Sequence, residues 1–227
     1  MNTSSFAAIL DATNLKLDAT QEEIRALCKE AAQVGYASVC VYPGNVPLCA
    51  DLLKDSGVHV CTVIGFPHGC SNIEAKNEEM LYARVHGAKE VDIVINHAVL
   101  RAGENKFVAD ETVRLCETAR KAGLLSKVIV ETCYLNEAQK LESLKICERA
   151  GADFIKTSTG FGSDGARIED IKRFVASRAG SIKIKASGGI RTLDKALAMI
   201  DAGAGRLGVS TAGSLLRELE TANDTRE

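Results

Sequence analysis

The chain has 227 residues, of which 46% are hydrophobic and 26% charged, a composition typical of a folded globular protein. The 28 Lys and Arg residues nearly balance the 30 Asp and Glu residues, and a net charge of −2 disfavours nucleic acid or an anionic membrane as a partner. No basic, apolar leader opens the sequence and no apolar run reaches membrane-spanning length, so we expect a soluble, cytoplasmic protein.

Short β-branched segments alternate with longer amphipathic segments, which is typical of a parallel sheet built from βα units. The predicted strands are 7–10, 38–41, 58–64, 91–95, 127–130, 154–156, 183–186 and 206–209. The predicted helices are 21–33, 73–85, 106–121, 137–149, 168–179 and 193–201. Eight strands predict an α/β fold, a single-domain TIM (β/α)8 barrel over 1–227 with a polar tail at 221–227; a doubly wound open sheet is the alternative.

Two histidines and two cysteines lie close together around the third predicted strand, namely His59, Cys61, His68 and Cys70. Imidazole and thiolate are ligands that zinc prefers, so the cluster is a candidate metal site, although its spacing is not that of a standard finger. We favour the alternative, a packed strand followed by a solvated loop, and expect no metal. The eight cysteines include no CxxC pair, and most should be small buried residues.

The fourth predicted strand carries an acidic residue, Asp92, within an apolar segment. Period-two alternation places Asp92 on the opposite face from Val91 and Ile93, whose side chains should meet the helices. Asp92 then points into the barrel, where an unpaired carboxylate is costly to bury. We therefore expect a cationic side chain beside it.

Lysines near the ends of strands six and seven provide candidate cations. Lys156 and Lys185 occupy equivalent positions on adjacent strands, which lie about 4.8 Å apart in a sheet. If both point inward, repulsion and partial burial lower the pKa of at least one and produce a nucleophilic amine. Snorkelling lysines that pair with Asp92 are the alternative. Lys183 shares the face of Lys185 but lies two residues deeper, and the pattern does not select which lysine is the nucleophile.

Glycine and hydroxyl residues follow strands six, seven and eight. Backbone N–H groups at glycine turns and Ser or Thr hydroxyls donate to anions, and barrels often bind phosphate after strands seven and eight. One Gly-Gly pair usually marks only a turn, but two such loops predict a phosphorylated substrate. The predicted binding residues are Thr157, Thr159, Gly160, Ser187, Gly188, Gly189, Gly208, Ser210 and Thr211.

Five motifs lie between residues 60 and 192: Val-Cys-Thr-Val-Ile-Gly-Phe-Pro (60–67), Glu-Val-Asp-Ile-Val-Ile-Asn (90–96), Val-Ile-Val-Glu-Thr-Cys (128–133), Gly-Ala-Asp-Phe-Ile-Lys-Thr-Ser-Thr-Gly-Phe (151–161) and Ile-Lys-Ala-Ser-Gly-Gly-Ile-Arg-Thr (184–192). Together they resemble the deoxyribose-phosphate aldolase family of class I aldolases, and the resemblance covers nearly the whole chain. The resemblance implies a cytoplasmic homodimer or homotetramer. It also implies reversible cleavage of 2-deoxy-D-ribose 5-phosphate to acetaldehyde and glyceraldehyde 3-phosphate in deoxynucleoside breakdown, without metal or organic cofactor.

The resemblance also implies roles for individual residues. Lys156 would form the Schiff base, Lys185 would perturb the pKa of its neighbour, and Asp92 and Lys185 would exchange protons through a water. Cys40 matches the family's active-site cysteine in Val-Cys-Val-Tyr-Pro, and Asp11 matches its acidic residue after the first strand.

The sequence departs from the family pattern at three places. Ala12 stands where relatives often have His, and Phe161 stands where some have a phosphate-contacting Lys. Some relatives end in a tyrosine that reaches the site, whereas this sequence ends in Thr-Arg-Glu. Two other functions stay open: a Schiff-base aldolase of another sugar phosphate, and a noncatalytic phosphate-binding barrel.

Overall fold

The computed structural model describes residues 1–224, which form eight parallel strands in a closed barrel. The strands are β1 (Leu10–Asn14), β2 (Ser38–Val41), β3 (His59–Ile64), β4 (Glu90–Val94), β5 (Leu125–Ile129), β6 (Phe154–Lys156), β7 (Lys183–Ser187) and β8 (Arg206–Val209). They follow one another in chain order, and β1 pairs with both β2 and β8. The predicted TIM barrel is therefore confirmed, and the open doubly wound sheet is excluded.

Helices connect the strands around the outside of the barrel. They are α1 (Thr3–Ala7), α2 (Gln21–Val34), α3 (Val46–Leu53), α4 (Ile73–Val85), α5 (His97–Arg101), α6 (Asn105–Lys121), α7 (Glu137–Ala150), α8 (Ile168–Ser177), α9 (Leu193–Asp201) and α10 (Ala212–Asp224), with 3-10 turns at Pro43–Asn45 and Thr132–Tyr134. The six predicted helices agree with the structure to within two residues at each end. Helix α10 takes in 221–224 of the predicted tail, and 225–227 lie outside the described residues. Over the described part of the chain, no helix combines the length and apolar character needed to cross a membrane.

The prediction of the first strand at 7–10 is wrong. The apolar segment there belongs to α1 and the turn after it, because the side chain of Asn2 caps the helix by accepting a hydrogen bond from the Ser5 N–H group at 2.8 Å. The strand begins only at Leu10 and carries Asp11 on its interior face. A strand with a charged interior side lacks the apolar alternation by which strands are recognised.

The apolar core lies between the sheet and the helices. Val91, Ile93 and Ile95 are buried in this layer, as the alternation in strand four predicts. Six of the eight cysteines are also buried, and all eight are free thiols, which confirms the prediction for most of them. The inside of the barrel differs, since several charged side chains are fully buried there. These interior charges form the candidate site.

Candidate active site

Asp92 lies inside the barrel and binds three lysine side chains. Its Oδ2 atom accepts hydrogen bonds from Nζ of Lys156 at 2.6 Å and Nζ of Lys185 at 2.7 Å, and its Oδ1 atom accepts one from Nζ of Lys127 at 2.9 Å. The pairing of β6 with β7 sets Lys156 opposite Lys185, the equivalent height that the sequence indicates. The prediction of a cationic side chain beside Asp92 is therefore met by three lysines.

The charges in this cluster stabilise one another. Burial raises the pKa of Asp92, but the three ammonium groups outweigh burial and hold that pKa well below its ordinary value. Burial lowers the pKa of Lys185, whereas the carboxylates of Asp11 and Asp92 raise it above its ordinary value. The expectation of a lowered lysine pKa is not met at Lys185, because two carboxylates outweigh the repulsion on which that expectation rests.

Asp11 and Cys40 both reach the barrel interior. Asp11 accepts a hydrogen bond from Nζ of Lys185 at 2.5 Å and one from Oγ of Ser38 at 2.7 Å. Burial raises the pKa of Asp11, but the charges of Lys185 and Lys127 outweigh burial and lower that pKa to about 2. Cys40 is fully buried and lies opposite Cys61 in the pairing of β2 with β3. Both residues that the family resemblance indicates thus join the interior of the barrel.

The sequence analysis missed three charged residues of this interior. Lys127 lies 2.7 Å from Oε2 of Glu90, and Nη2 of Arg206 donates to Oε1 of the same carboxylate at 2.9 Å. Glu90 stands two residues before Asp92, so alternation places it on the same interior face, and Lys127 takes the face opposite to Val128, which packs in the core. The signal that finds them is a charged residue that shares the face of a candidate site residue or lies opposite an apolar neighbour on its strand.

A cavity of about 530 Å³ lies at the carboxyl ends of the strands, next to Lys156. The predicted site residues that line it are Lys156, Thr159, Gly160, Ser187, Gly188, Gly189, Gly208 and Ser210. Charged residues of both signs line it too: Lys16, which is paired with Glu23 at 3.0 Å, and Arg191 and Glu30. The cavity brings the candidate nucleophile and all three candidate phosphate loops together.

Two predicted phosphate ligands do not line this cavity. The Thr157 hydroxyl donates to the Ser187 carbonyl oxygen at 3.2 Å and accepts from the Ser187 N–H group at 3.2 Å, so it joins the loops after β6 and β7. Thr211 lines a smaller neighbouring pocket of about 180 Å³, and its buried hydroxyl has no partner within the described residues.

The two departures that the structure describes lie in different layers. The side chain of Ala12 packs in the core between sheet and helices. Phe161 is 48% exposed at the cavity, with its ring edge-on to Phe66 at a centroid distance of 5.4 Å. Phe161 therefore gives one side of the cavity an apolar surface.

The candidate zinc cluster is not brought together. His59 begins β3, with Nδ1 2.9 Å from Oε1 of Glu90, while His68 and Cys70 are exposed on the loop that follows this strand. A strand of six residues spans about 20 Å, so these side chains lie at opposite ends of the barrel.

The structure shows one further group of possible metal ligands, which the sequence analysis did not single out, and it also places Lys183, the other lysine of strand seven. The ligand atoms of Cys40, Cys61 and Asp92 lie within 4.8 Å of one another, but three ammonium groups already occupy the carboxylate and oppose a cation. Lys183 is exposed, and its ammonium group lies 5.7 Å from the ring centre of Phe154. Lys185 is the strand-seven lysine that reaches the site.

Comparisons with known proteins agree with this geometry. A family model described as DeoC/LacD family aldolase matches residues 6–216. Deoxyribose-phosphate aldolase of Caldanaerobacter subterraneus subsp. tengcongensis is 44% identical over 94% of this chain and 93% of its own. The corresponding protein of Desulfitobacterium hafniense is 45% identical over 95% and 99%. The solved structure of the tetrameric deoxyribose phosphate aldolase of Aeropyrum pernix superposes with a TM-score of 0.91 and 30% identity, covering 97% of this chain and 93% of its own. The chain belongs to the DeoC/LacD family of aldolases.

Proposed function

We propose that this protein is a class I aldolase that reversibly cleaves 2-deoxy-D-ribose 5-phosphate to acetaldehyde and D-glyceraldehyde 3-phosphate in deoxyribose phosphate catabolism. The relatives of similar length carry the name of this activity. The observation that carries the proposal is the position of Lys156, which lines the cavity and whose Nζ atom donates a hydrogen bond to the Asp92 carboxylate that also binds Lys185. An amine beside a proton-exchanging pair is the arrangement that Schiff-base catalysis needs.

The proposed reaction begins when the neutral amine of Lys156 attacks C1 of the open-chain aldehyde. The resulting carbinolamine takes a proton on its hydroxyl group and loses water, which gives an iminium ion. The C2–C3 bond then breaks and its electron pair moves into the iminium, giving a neutral enamine. The C3 hydroxyl gives up its proton, and the resulting aldehyde leaves as glyceraldehyde 3-phosphate. Protonation of the enamine carbon and hydrolysis release acetaldehyde and the free lysine.

Asp92 and Lys185 are proposed to carry the protons of this sequence through a water. Both side chains are fully buried, and neither lines the cavity, so a water from the cavity is the natural link to the substrate. Asp11 holds Lys185 from its other side and keeps the ammonium group aimed at Asp92. Cys40 is proposed as part of the wall of this interior.

The substrate phosphate is proposed to bind at the loops after β6, β7 and β8. Gly188 and Gly189 have φ angles of +84° and +70°, a conformation that lets consecutive backbone N–H groups approach an anion. Gly160, Gly208 and Ser210 border the same cavity. Thr157 and Thr211 act from behind these loops in this proposal.

The remaining features of the proposal concern the whole enzyme. Schiff-base chemistry at a lysine needs no metal, so dialysis against EDTA is expected to leave the cleavage rate unchanged. We also propose a single-domain cytoplasmic enzyme that forms a homodimer or homotetramer, the second by analogy with the tetrameric Aeropyrum pernix protein.

Intact-mass spectrometry after incubation with acetaldehyde and borohydride tests the proposal. The wild type should gain one ethyl group on Lys156, and Lys156→Ala should gain none at a specific site. A selective adduct with dihydroxyacetone but not acetaldehyde would favour an aldolase of keto-sugar phosphates. No selective adduct with either compound would favour a noncatalytic phosphate-binding barrel.

A further inference from the structure

Glu131 has the one positive φ angle among the non-glycine residues of the described chain, at 54°. Its two neighbours are fixed to the strand that carries Lys156. The Val130 N–H group donates to the Lys156 carbonyl oxygen at 3.0 Å, and the Thr132 N–H group donates to the Thr157 carbonyl oxygen at 2.9 Å. L-residues rarely adopt this backbone conformation, and it persists where surrounding contacts impose it.

The side chain of Glu131 is buried and binds Thr159. Its two carboxylate oxygens accept the Thr159 N–H group at 3.2 Å each, and one of them also accepts the Thr159 hydroxyl hydrogen bond. The Thr159 hydroxyl oxygen in turn accepts the N–H group of Phe161 at 3.0 Å. One buried carboxylate thus orders the segment from Thr159 to Phe161, every residue of which lines the cavity.

The ordered segment belongs to the candidate phosphate loop after β6 and lies against the candidate phosphate loop after β7. A Cβ atom built on Gly188 would lie 3.5 Å from Cα of Gly160. The Ser187 hydroxyl also donates to the Ser158 carbonyl oxygen at 2.6 Å. A shift of the segment would therefore move the wall that borders the phosphate loop, while Lys156 remains held by the barrel strands.

We propose that Glu131 is a positioning residue that fixes Thr159, Gly160 and Phe161 beside Gly188 and thereby sets the preference for phosphorylated over unphosphorylated substrate. The inference rests on the proposed aldolase function. It separates two parts of the site: imine formation depends on Lys156 and Asp92, whereas recognition of the phosphate depends on a wall held from behind by Glu131.

The test compares kcat/KM for 2-deoxyribose 5-phosphate with kcat/KM for 2-deoxyribose. Glu131→Gly removes the carboxylate and tolerates the positive φ, and it should lower this ratio about 10-fold or more because it removes charge-assisted hydrogen bonds. Glu131→Gln keeps one acceptor oxygen and should restore part of the ratio. Thr159→Val removes only the hydroxyl contact and should lower the ratio less.

The rate of acetaldehyde-borohydride adduct formation at Lys156 should stay within about twofold in the two Glu131 variants, because the lysine is held by strand pairing on both sides. Glu148→Ala is the matched control. Its carboxylate accepts two backbone N–H groups of the α8–β7 loop, at 2.7 and 3.0 Å, away from the cavity. That variant should leave the ratio unchanged.

The outcomes separate this inference from the proposed function. A wild type without a Lys156 adduct overturns the aldolase and the inference together. An active wild type in which Glu131→Gly, Glu131→Gln and Thr159→Val leave the substrate ratio unchanged, or lower both activities equally, overturns the role of Glu131 alone. If Glu131→Gly fails to fold, the other two variants decide.

Discussion

Lys127 joins two carboxylates inside the barrel and does not border the cavity. Its Nζ atom lies 2.9 Å from Asp92 and 2.7 Å from Glu90, and the side chain is fully buried. Lys127→Met keeps much of the buried stem but removes the charge, so both carboxylates lose one cation. Because each keeps another partner, we expect a loss of about 2–3 kcal/mol in the free energy of unfolding, less than the roughly 3–5 kcal/mol of a buried pair whose remaining charge is left alone. Urea denaturation measures it, and wild-type stability would contradict the interpretation.

Asp92 is the residue that links Lys156 to Lys185. Asp92→Asn keeps the shape but removes the charge that both ammonium groups bind. Loss of a proton-transfer group should lower kcat for cleavage about 100-fold or more. Stopped assays of aldehyde release measure this, with circular dichroism as the check on folding. Asp170→Asn, which affects the buried pair with Lys140 between α7 and α8, is the control and should keep kcat. Cleavage at the wild-type rate would remove Asp92 from the mechanism.

Strand β8 has a glycine at position 208 because the side chain of Lys185, from β7, lies against its backbone. A Cβ atom built on Gly208 would lie 3.1 Å from Cε of Lys185 and 3.0 Å from Cβ of Ser187. Gly208→Ala should displace the lysine from Asp92 and lower kcat about 10-fold, with a stability loss of about 1–3 kcal/mol from overpacking. Steady-state kinetics and thermal unfolding measure the two effects.

Gly205 provides the matched control for this substitution. It precedes the same strand, and a Cβ atom there meets nothing within 4 Å. Gly205→Ala should change stability by less than about 0.5 kcal/mol and leave kcat unchanged. If both alanine variants behave alike, contact with Lys185 is not the reason for glycine at 208.

The elements differ in how well sequence patterns predict them. Strands β2, β6 and β8 were predicted at their observed bounds because a glycine that ends the preceding helix lies shortly before each, at Gly35, Gly151 and Gly203. Strand β1 was not, since its interior side carries the charge of Asp11 and the apolar run before it is a capped helix. The short helix α5, five residues long, has too few turns to show a 3.6 period.

At the level of the whole molecule, some contacts of the site could be predicted from the sequence and others could not. The equal heights of Lys156 and Lys185 follow from alternation on neighbouring strands, so they were predictable. The pair between Asp11 and Lys185 joins residues 174 positions apart, and only closure of the barrel between β1 and β8 brings them together. The contact of Glu131 with Thr159 could not be predicted from the sequence either, because it depends on the positive φ angle of Glu131.

The interior charges make the stability of the whole barrel depend on pH in a definite direction. The pKa of Asp11 falls from 3.8 to about 2 on folding, and that of Asp92 falls well below 3.8. A lowered carboxyl pKa stabilises the folded state above the unfolded pKa, and this contribution is lost as pH falls from about 4 towards 2. At alkaline pH the raised pKa of Lys185 has the opposite effect on stability. Its contribution to the free energy of unfolding is fully present below pH 10.5 and is lost as the pH rises above that value.

Urea denaturation of the wild type and Asp11→Asn between pH 3 and pH 7 tests this dependence. The wild type should be the more stable at pH 7, by about 2 kcal/mol from the shift at Asp11 alone. The difference in stability between the two proteins should shrink as the pH falls below 4. In that range Asp11 binds a proton in the unfolded wild type but stays ionised in the folded barrel. Glu148→Ala, outside the interior, should follow the slope of the wild type. Parallel curves for wild type and Asp11→Asn would show that Asp11 titrates alike in both states and that the lysines do not hold it ionised.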